Sequence, residues 1–374
     1  MNISGPFKNI VFSRDKNDVV VSDIAYPSTF KVKFIDDLGN EYGFPAKPYL
    51  GKYTLHLDEV LKALEESTIA PDVPDGGYVA IAPRLLTIEF SETPDLTSTP
   101  DVHSCAIKWM PGYCNMGSDD RNRLLSGIYW WTLRPQTALT LKWSRETLQT
   151  AIKSSGSEDS VKIVIDLHFA EKKKQRMAYL TIPRQADNTF AAIDVSYSSI
   201  EKAALKAGIT DQIIAYDVIG ITDKFIDRPI GQRFVVVPMD RYIRAWYFRN
   251  SLGAFDTVYS FGEVTRSIES EAKTFTVGGK ELEISNISKD VYSVDTGYIK
   301  NEKELNLWYE FLRSVERYII SEDGKYHRIV VDSSDSKKTL NEAGSISFKC
   351  RMSEELEGYA FPKSRLEDFS NEFT

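Results

Sequence analysis

Between residues 161 and 169 every second side chain is apolar. Val161, Ile163, Ile165, Leu167 and Phe169 share one side, while Lys162, Asp166 and His168, with Val164, take the other. A period of two belongs to a strand with one buried face, because successive side chains of an extended chain point to opposite faces. The pattern recurs at Phe30, Val32 and Phe34. It recurs again at Ile346, Phe348, Cys350 and Met352, set against Ser345, Ser347, Lys349 and Arg351. A chain that repeats this signal along its length must build sheets. Its aromatic content of 12% adds residues that favour strands. The expected fold is mainly β: serial β-sandwich-like modules, then an α+β C-terminal domain carrying one long helix.

A length of 374 residues is enough for two or three domains. The stretch from Ser91 to Pro100 is a linker by composition, which puts the first boundary near residue 100. Residues 1–100 then form a β-rich module with one short helix, where Leu57, Val60, Leu61 and Leu64 share a face. Strands are expected at Tyr78 to Ile81 and Leu86 to Phe90. Residues 101–235 form a second β-rich module. In it a charged tip, Glu171 to Gln175, joins two strands, and Ser198 with Glu201 makes a capping box for a helix that Gly208 closes. Each module runs a strand into a short helix, at Leu55-His56-Leu57 and at Ala192-Ile193-Asp194, as in two copies of one unit. Residues 236–374 are the α+β domain. There a hairpin turns at Gly278-Gly279, and Asn301 with Glu304 starts a helix that continues to about Arg317. Leu305, Trp308, Phe311, Leu312 and Val315 form its apolar stripe. A strand at Arg328 to Val331 and a turn at Ser333 to Lys338 follow.

Several chemistries are excluded by pattern. The net charge is -8 with both signs interspersed, so no basic face exists for nucleic acid. No apolar run is long enough to span a membrane, and Met1 to Pro6 lacks the features of a signal peptide, so no membrane insertion is expected. The three cysteines, Cys105, Cys114 and Cys350, make no disulfide framework and suit a reducing compartment, with Cys350 in the core. Gly278-Gly279-Lys280 does not fit a phosphate loop, and no dinucleotide fingerprint follows a strand, so no cofactor is expected. His103, Cys105 and Cys114 match no zinc spacing. His56, His168 and His327 lack a nucleophile elbow, and the acidic pairs Asp36-Asp37 and Asp119-Asp120 sit in turns. The expectation is a protein without catalytic residues.

The aromatic clusters are the remaining candidates. Alternation through Trp130 and Trp131 puts one ring in a core and the other against a neighbouring domain. With Trp143 they could also form a sugar-stacking platform, which makes a carbohydrate-binding or adhesin module the alternative function and a glycan the alternative partner. The segment Arg241 to Thr257 is the most distinctive in the chain, a basic-aromatic stripe with a strand entering a sharp Asn-Ser-Leu-Gly turn. Three arginines in an acidic chain point to an intramolecular or subunit contact rather than to stacking on single-stranded nucleic acid. The expected contact surface is Trp130, Trp131, Arg244, Trp246, Arg249 and Phe255.

Phe248-Arg249-Asn250-Ser251-Leu252-Gly253-Ala254-Phe255-Asp256 resembles a segment of tail- and baseplate-associated proteins encoded by phages and prophages of gut anaerobes. Tyr292 to Tyr298, the Trp308 to Val315 helix and the Ser345 to Met352 strand extend that resemblance over residues 241–355. It implies a non-enzymatic structural protein whose partners are other copies or neighbouring structural proteins. Its location would be the cytoplasm during assembly, then the virion or tail-like particle. Such proteins have no catalytic residues to carry over.

Overall fold

The computed structural model describes residues 1–7, 10–25, 29–65, 72–93, 99–112, 129–151, 160–171, 173–183, 190–221, 230–238, 243–277, 280–321, 324–337 and 344–353. The chain is mainly β and separates into two compact units. The first comprises Met1–Met239, Phe248–Thr257 and Asn306–Val315, and the second the rest.

The first unit holds two sandwich modules. In the first module a large sheet contains β2 (Val11–Phe12), β4 (Thr29–Ile35), β5 (Glu41–Ala46), β8 (Arg84–Thr93) and β9 (Asp101–Met110), in the order β2-β9-β8-β4-β5. A small sheet contains β1 (Asn2–Ser4), β3 (Asp18–Ser22) and β6 (Tyr53–His56), in the order β1-β3-β6. Phe30, Val32 and Phe34 face Val19, Val21 and Leu55 across the core, and α1 (Leu57–Glu65) adds Leu57 and Leu61. The alternation of apolar residues on β4 is therefore the inner face of a sandwich, packed as two aligned sheets pack. The helix is fixed at its end by the buried Glu65, which accepts hydrogen bonds from Ser13 and Arg14.

The second module repeats the plan. Its large sheet contains β10 (Thr137–Leu141), β12 (Ser160–Phe169), β13 (Lys174–Pro183), β15 (Ile213–Ile221) and β16 (Ile230–Val237), in the order β10-β16-β15-β12-β13. Its small sheet is β11 (Thr147–Ala151), β14 (Phe190–Asp194) and β7 (Tyr78–Ile81), in the order β11-β14-β7. Ile163, Ile165, Leu167 and Phe169 face Leu148, Ala191 and Ile193, and α2 (Tyr197–Lys206) closes the core with Tyr197, Ile200 and Ala204. Gly208, at φ 77, ends the helix as its sequence predicts. The capping box does not form. Ser196 is the N-cap, and Asp194 instead accepts from the hydroxyls of Ser196 and Ser199 and from the Ser196 N–H.

The two modules share one topology. An edge strand (β2 or β10) pairs in parallel with the last strand (β9 or β16). Then come a small-sheet strand (β3 or β11), a large-sheet hairpin (β4–β5 or β12–β13), a return to the small sheet (β6 or β14), a helix, and a closing antiparallel pair (β8–β9 or β15–β16). Only the third small-sheet strand differs. It is β1 beside β3 in one module and β7 beside β14 in the other. The strand expected at Tyr78 to Ile81 thus exists, but it pairs in the second module rather than the first. Residue 100 lies between β8 and β9, which pair from Arg84↔Trp109 to Glu92↔Asp101.

The second unit is organised by a seven-stranded sheet: β17 (Arg244–Arg249), β18 (Phe255–Ser260), β19 (Val264–Val277), β20 (Lys280–Asp295), β21 (Arg317–Ile320), β22 (Tyr326–Lys337) and β23 (Ser345–Met352), in the order β18-β17-β21-β22-β23-β20-β19. The expected strand Ser345 to Met352 is β23, with Ile346, Phe348 and Cys350 buried. β22 runs through the turn expected at Ser333, because Ser333↔Lys349 to Lys337↔Ser345 keep it paired. The turn expected at Gly278-Gly279 lies outside the described residues. The helix α3 (Glu302–Arg313) is capped as expected: Glu304 N–H donates to Asn301 Oδ1, and Lys300 N–H donates to the Glu304 carboxylate. It stops four residues short of Arg317, which opens β21, so Val315 lies beyond the helix and is exposed. Residues 306–315 of this helical region group with the first unit, where Phe311 meets Phe248 edge-on at 5.7 Å.

A third apolar cluster in the first unit gathers both modules and the tip of the β17–β18 hairpin. Ile10, Phe12 and Met110 come from one module, Trp131, Ala151 and Phe190 from the other, and Leu252 and Ala254 from the hairpin. Gly253, at φ 85, allows the tip to approach the Pro111 carbonyl, because a Cβ there would stand 1.9 Å from that oxygen. Below the tip, Asp256 is fully buried and accepts from Thr132 Oγ1, the Leu133 N–H and Asn250 Nδ2. Arg134 lies 3.3 Å from it and is also paired with buried Glu146 at 2.7 Å. Removing one partner leaves a buried charge uncompensated, at a typical cost of about 3–5 kcal/mol. Asp256→Ala is expected to lower stability by about that much, seen as a lower urea midpoint. A midpoint within error of the parent would show that the carboxylate does not hold this junction.

Candidate functional site

The side chains expected to form contact surface lie inside. Trp130 is in the core of the second module, and Trp131, 1% exposed, is in the junction cluster against Phe12 and Phe190. One ring is thus core and the other meets the neighbouring module, as alternation predicts. Trp246 is buried, donates its indole N–H to Ser260 and meets Phe348 edge-on. Arg249 is buried over the Phe255 ring at 4.6 Å and donates to the Gly253 carbonyl. Arg244 is half-buried and donates to the Ile243 carbonyl. The expectation of a contact surface is corrected for the buried members, and the basic-aromatic stripe makes intramolecular contacts, the other reading its sequence allows. The glycan reading loses its platform in the same way, since Trp130 and Trp131 are buried and Trp143 is half-buried.

The outer face of the second module's large sheet carries a cluster of charged side chains. Asp166 and Asp217 are direct cross-strand partners on β12 and β15, in an open cavity of about 520 Å³ that Lys174, Arg176 and Arg233 also line. Hydrogen bonds from Arg176 and Lys174 hold the Asp166 carboxyl down at about 2 despite its burial. Burial would raise Asp217, but Arg233 and His168 outweigh it and keep that carboxyl below its usual range. Both groups are locked as anions at neutral pH. A general acid needs the opposite shift, so this pair is built for ion pairing and not for proton donation.

The other candidates from sequence are equally committed. Cys105 and Cys350 are pushed up by burial to about 11 and about 12, which makes them poor nucleophiles. His103 meets Asp101 at 3.1 Å. Cys114 and Asp119-Asp120 lie outside the described residues, and among the described residues no group of three or more His, Cys, Asp or Glu is placed to hold a metal. Asp36 accepts from Leu38, Asn40 and the Asn40 side chain, as a turn aspartate does. No helix among the described residues is long and apolar enough to cross a membrane.

What the sequence reading missed is an apolar border on the first module. Tyr42 and Phe44 of β5, on the face that carries Phe34 and Val32, are 50% and 38% exposed. The chain then makes a two-residue turn between Tyr49 and Lys52 before entering β6. Tyr49 and Leu50 in that turn are 79% and 84% exposed. Leu50 is also held at φ 49, a conformation that side chains other than Gly, Asn and Asp rarely adopt. Contiguous exposed apolar groups mark contact surfaces. The signal was present: Tyr42, Phe44 and Ala46 alternate, and Pro45 marks an edge strand because it offers no N–H to a ladder.

No family model matches this chain, and no curated protein matches it. Among solved structures, the tail of an empty GTA particle with C6 symmetry is similar at 14% identity and a TM-score of 0.21, over 29% of this chain and 90% of that one. A two-domain fibronectin type-III segment from chicken tenascin is similar at 8% identity and a TM-score of 0.21, over 63% and 97% of the respective chains.

The depressed Asp166 group has a defined pH consequence. Its folded value lies below that of an unfolded aspartate, so its contribution is full above about pH 4 and is lost as the pH falls toward 2. Asp166→Asn is expected to cost roughly 1–2 kcal/mol at neutral pH, reduced because Arg176 and Lys174 are largely exposed. Parent and variant unfolding curves should converge on acidification through that window. A gap that stays constant with pH would remove the ion pairs as its cause.

Proposed function

We propose that this chain is a non-enzymatic structural protein that works by protein–protein contact, as a component of a phage-tail-like or prophage particle. The observation that carries the reading is the group of exposed apolar side chains Tyr42, Phe44, Tyr49 and Leu50, which lie within nine residues of one another on β5 and the turn that follows it. Leu50 supports it twice, because its backbone is strained and its side chain gains nothing inside the fold. Strain of this kind is kept where an external partner uses it. The resemblance of residues 241–355 to tail- and baseplate-associated proteins gives the reading its particle. The partners are other copies or neighbouring structural proteins, and the charged cavity serves the sheet rather than a substrate.

Light scattering and negative-stain imaging of the purified chain, alone and mixed with its neighbouring structural proteins, test this. Association is expected to weaken in a Tyr49→Ser, Leu50→Gly variant. The same variant should melt no lower than the parent, since glycine at φ 49 relieves roughly 1 kcal/mol of strain. A chain that stays monomeric under all these conditions would overturn the proposal.

A further inference from the structure

The ion pairs that serve the second module's large sheet use only part of their arginines. One row of residues crosses all five strands in register: Arg176 on β13, Asp166 on β12, Asp217 on β15, Arg233 on β16 and Thr137 on β10. Like charges placed directly opposite one another destabilise a sheet. The Asp166–Asp217 pair at the centre of the row therefore requires cations beside it, and each aspartate has its own arginine on the strand away from the other.

The two arginines bind in the same way. Arg176 donates from Nε and Nη2 to the two oxygens of Asp166, at 2.6 and 2.9 Å. Arg233 donates from Nε and Nη2 to those of Asp217, also at 2.6 and 2.9 Å. Lys174 adds a contact to Asp166 at 2.8 Å, and His168 one to Asp217 at 2.8 Å. A guanidinium carries its N–H groups in a rigid planar fork. Here the Nε side holds the aspartate. The far end, where Nη1 and Nη2 present hydrogens side by side, is left over, and among the described residues Nη1 of neither arginine has a bond. That end is a second bidentate face, of the kind that fits a carboxylate.

Room and charge are both present beside it. The cavity of about 520 Å³ is lined by these residues and by Ile219 and its cross-strand partner Gly231. A Cβ at Gly231 would stand 3.6 Å from the nearest atom, on Ile219, so no close approach requires the glycine and what it supplies is space. Lys174, Arg176 and Arg233 line the cavity against two carboxylates, a surplus of cation in a chain whose net charge is -8. The arginine side chains are 59% and 45% exposed, so solvent reaches them. Their aspartates already hold them in one geometry, which leaves little side-chain freedom to lose on binding.

We propose that this cavity binds a ligand bearing several carboxylate groups, held by the far ends of Arg176 and Arg233. Asp166 and Asp217 are positioning residues that aim the arginines. A strand spacing of about 4.8 Å puts the backbones of β13 and β16 roughly 14 Å apart, so a ligand that reaches both arginines carries more than one carboxylate. Those groups belong either to a free polycarboxylate or to an acidic stretch of polypeptide, and the recognition chemistry is the same. The ligand is bound and not converted, because both aspartates stay ionised and neither has a proton to give. The inference goes beyond the assembly reading and does not depend on it.

Calorimetric titration of the full chain with citrate and, separately, with a hexaglutamate peptide tests the site. Saturable binding that weakens with added salt is expected. Binding of citrate assigns a free polycarboxylate, and binding of hexaglutamate alone assigns an acidic polypeptide. In the double variant Arg176→Lys, Arg233→Lys each aspartate keeps a cation but the second donor face is gone, so affinity should fall at least about tenfold. Gly231→Phe fills the cavity without changing a charge and should abolish binding. Thermal melting checks both folds, and Gly231→Phe alone carries the test if the lysine variant melts early. Binding unchanged in either folded variant overturns the site, as does the absence of binding by both probes. Inorganic phosphate that binds more tightly than either probe overturns the choice of carboxylate.

Discussion

The carboxylate of Asp256 is the point on which the first unit closes. It arrives on the β17–β18 hairpin, more than a hundred residues after the segment it binds, and is fully buried. Two of its bonds fix the backbone and side chain of the Thr132-Leu133 stretch, and a third orients Asn250. Asn250 in turn accepts from the N–H groups of Leu252 and Ala254 and donates to the Trp131 carbonyl, so one amide sets the shape of the hairpin tip. Arg134 is shared between Asp256 and Glu146. A buried ion pair is a weak source of net stability, but breaking one leaves a buried charge uncompensated. The junction cluster holds Trp131, whose carbonyl Asn250 binds, against the rings of Phe12 and Phe190.

Local patterns were legible and long-range partners were not. The strands at 161–169 and 345–352, the burial of Cys350, the Asn301 cap and the Gly208 stop are all written within a few residues, because period and cap chemistry are local properties. The β-sandwich class followed from their sum. Trp246, Arg249 and Phe255 show the limit. Their sequence is that of an aromatic, basic surface, yet each is covered by residues far along the chain or across a turn, such as Phe348 and Gly253. Ser196 taking the cap from Ser198 is a smaller case, decided by Asp194 collecting the nearby hydroxyls.

The apolar border of the first module shows the converse. Tyr42 and Phe44 carry the alternation of a buried strand and yet are exposed, in the module whose third small-sheet strand lies beside β3 and not beside β6. Exposed sheet edges are usually blunted by charge, proline or twist. Pro45 does this for the outer side of β5, while β6 carries only Thr54 and His56. Two modules with the same large-sheet order therefore differ at one edge: among the described residues β14 has a strand on both sides and β6 has one on a single side.

The position of β7 also sets an order of events during synthesis. Its residues leave the ribosome with the first module, but their partner β14 is made long afterwards, and Asp256 later still. The nascent first module therefore carries an extended, unpaired apolar segment for as long as the second takes to appear. Contacts so distant in sequence close slowly, and an unpaired strand is a template for wrong pairing while it waits. For this fold the hazardous interval is the time between two strands of one small sheet, and a chain stopped anywhere within it would expose β7 to whatever edge it met first.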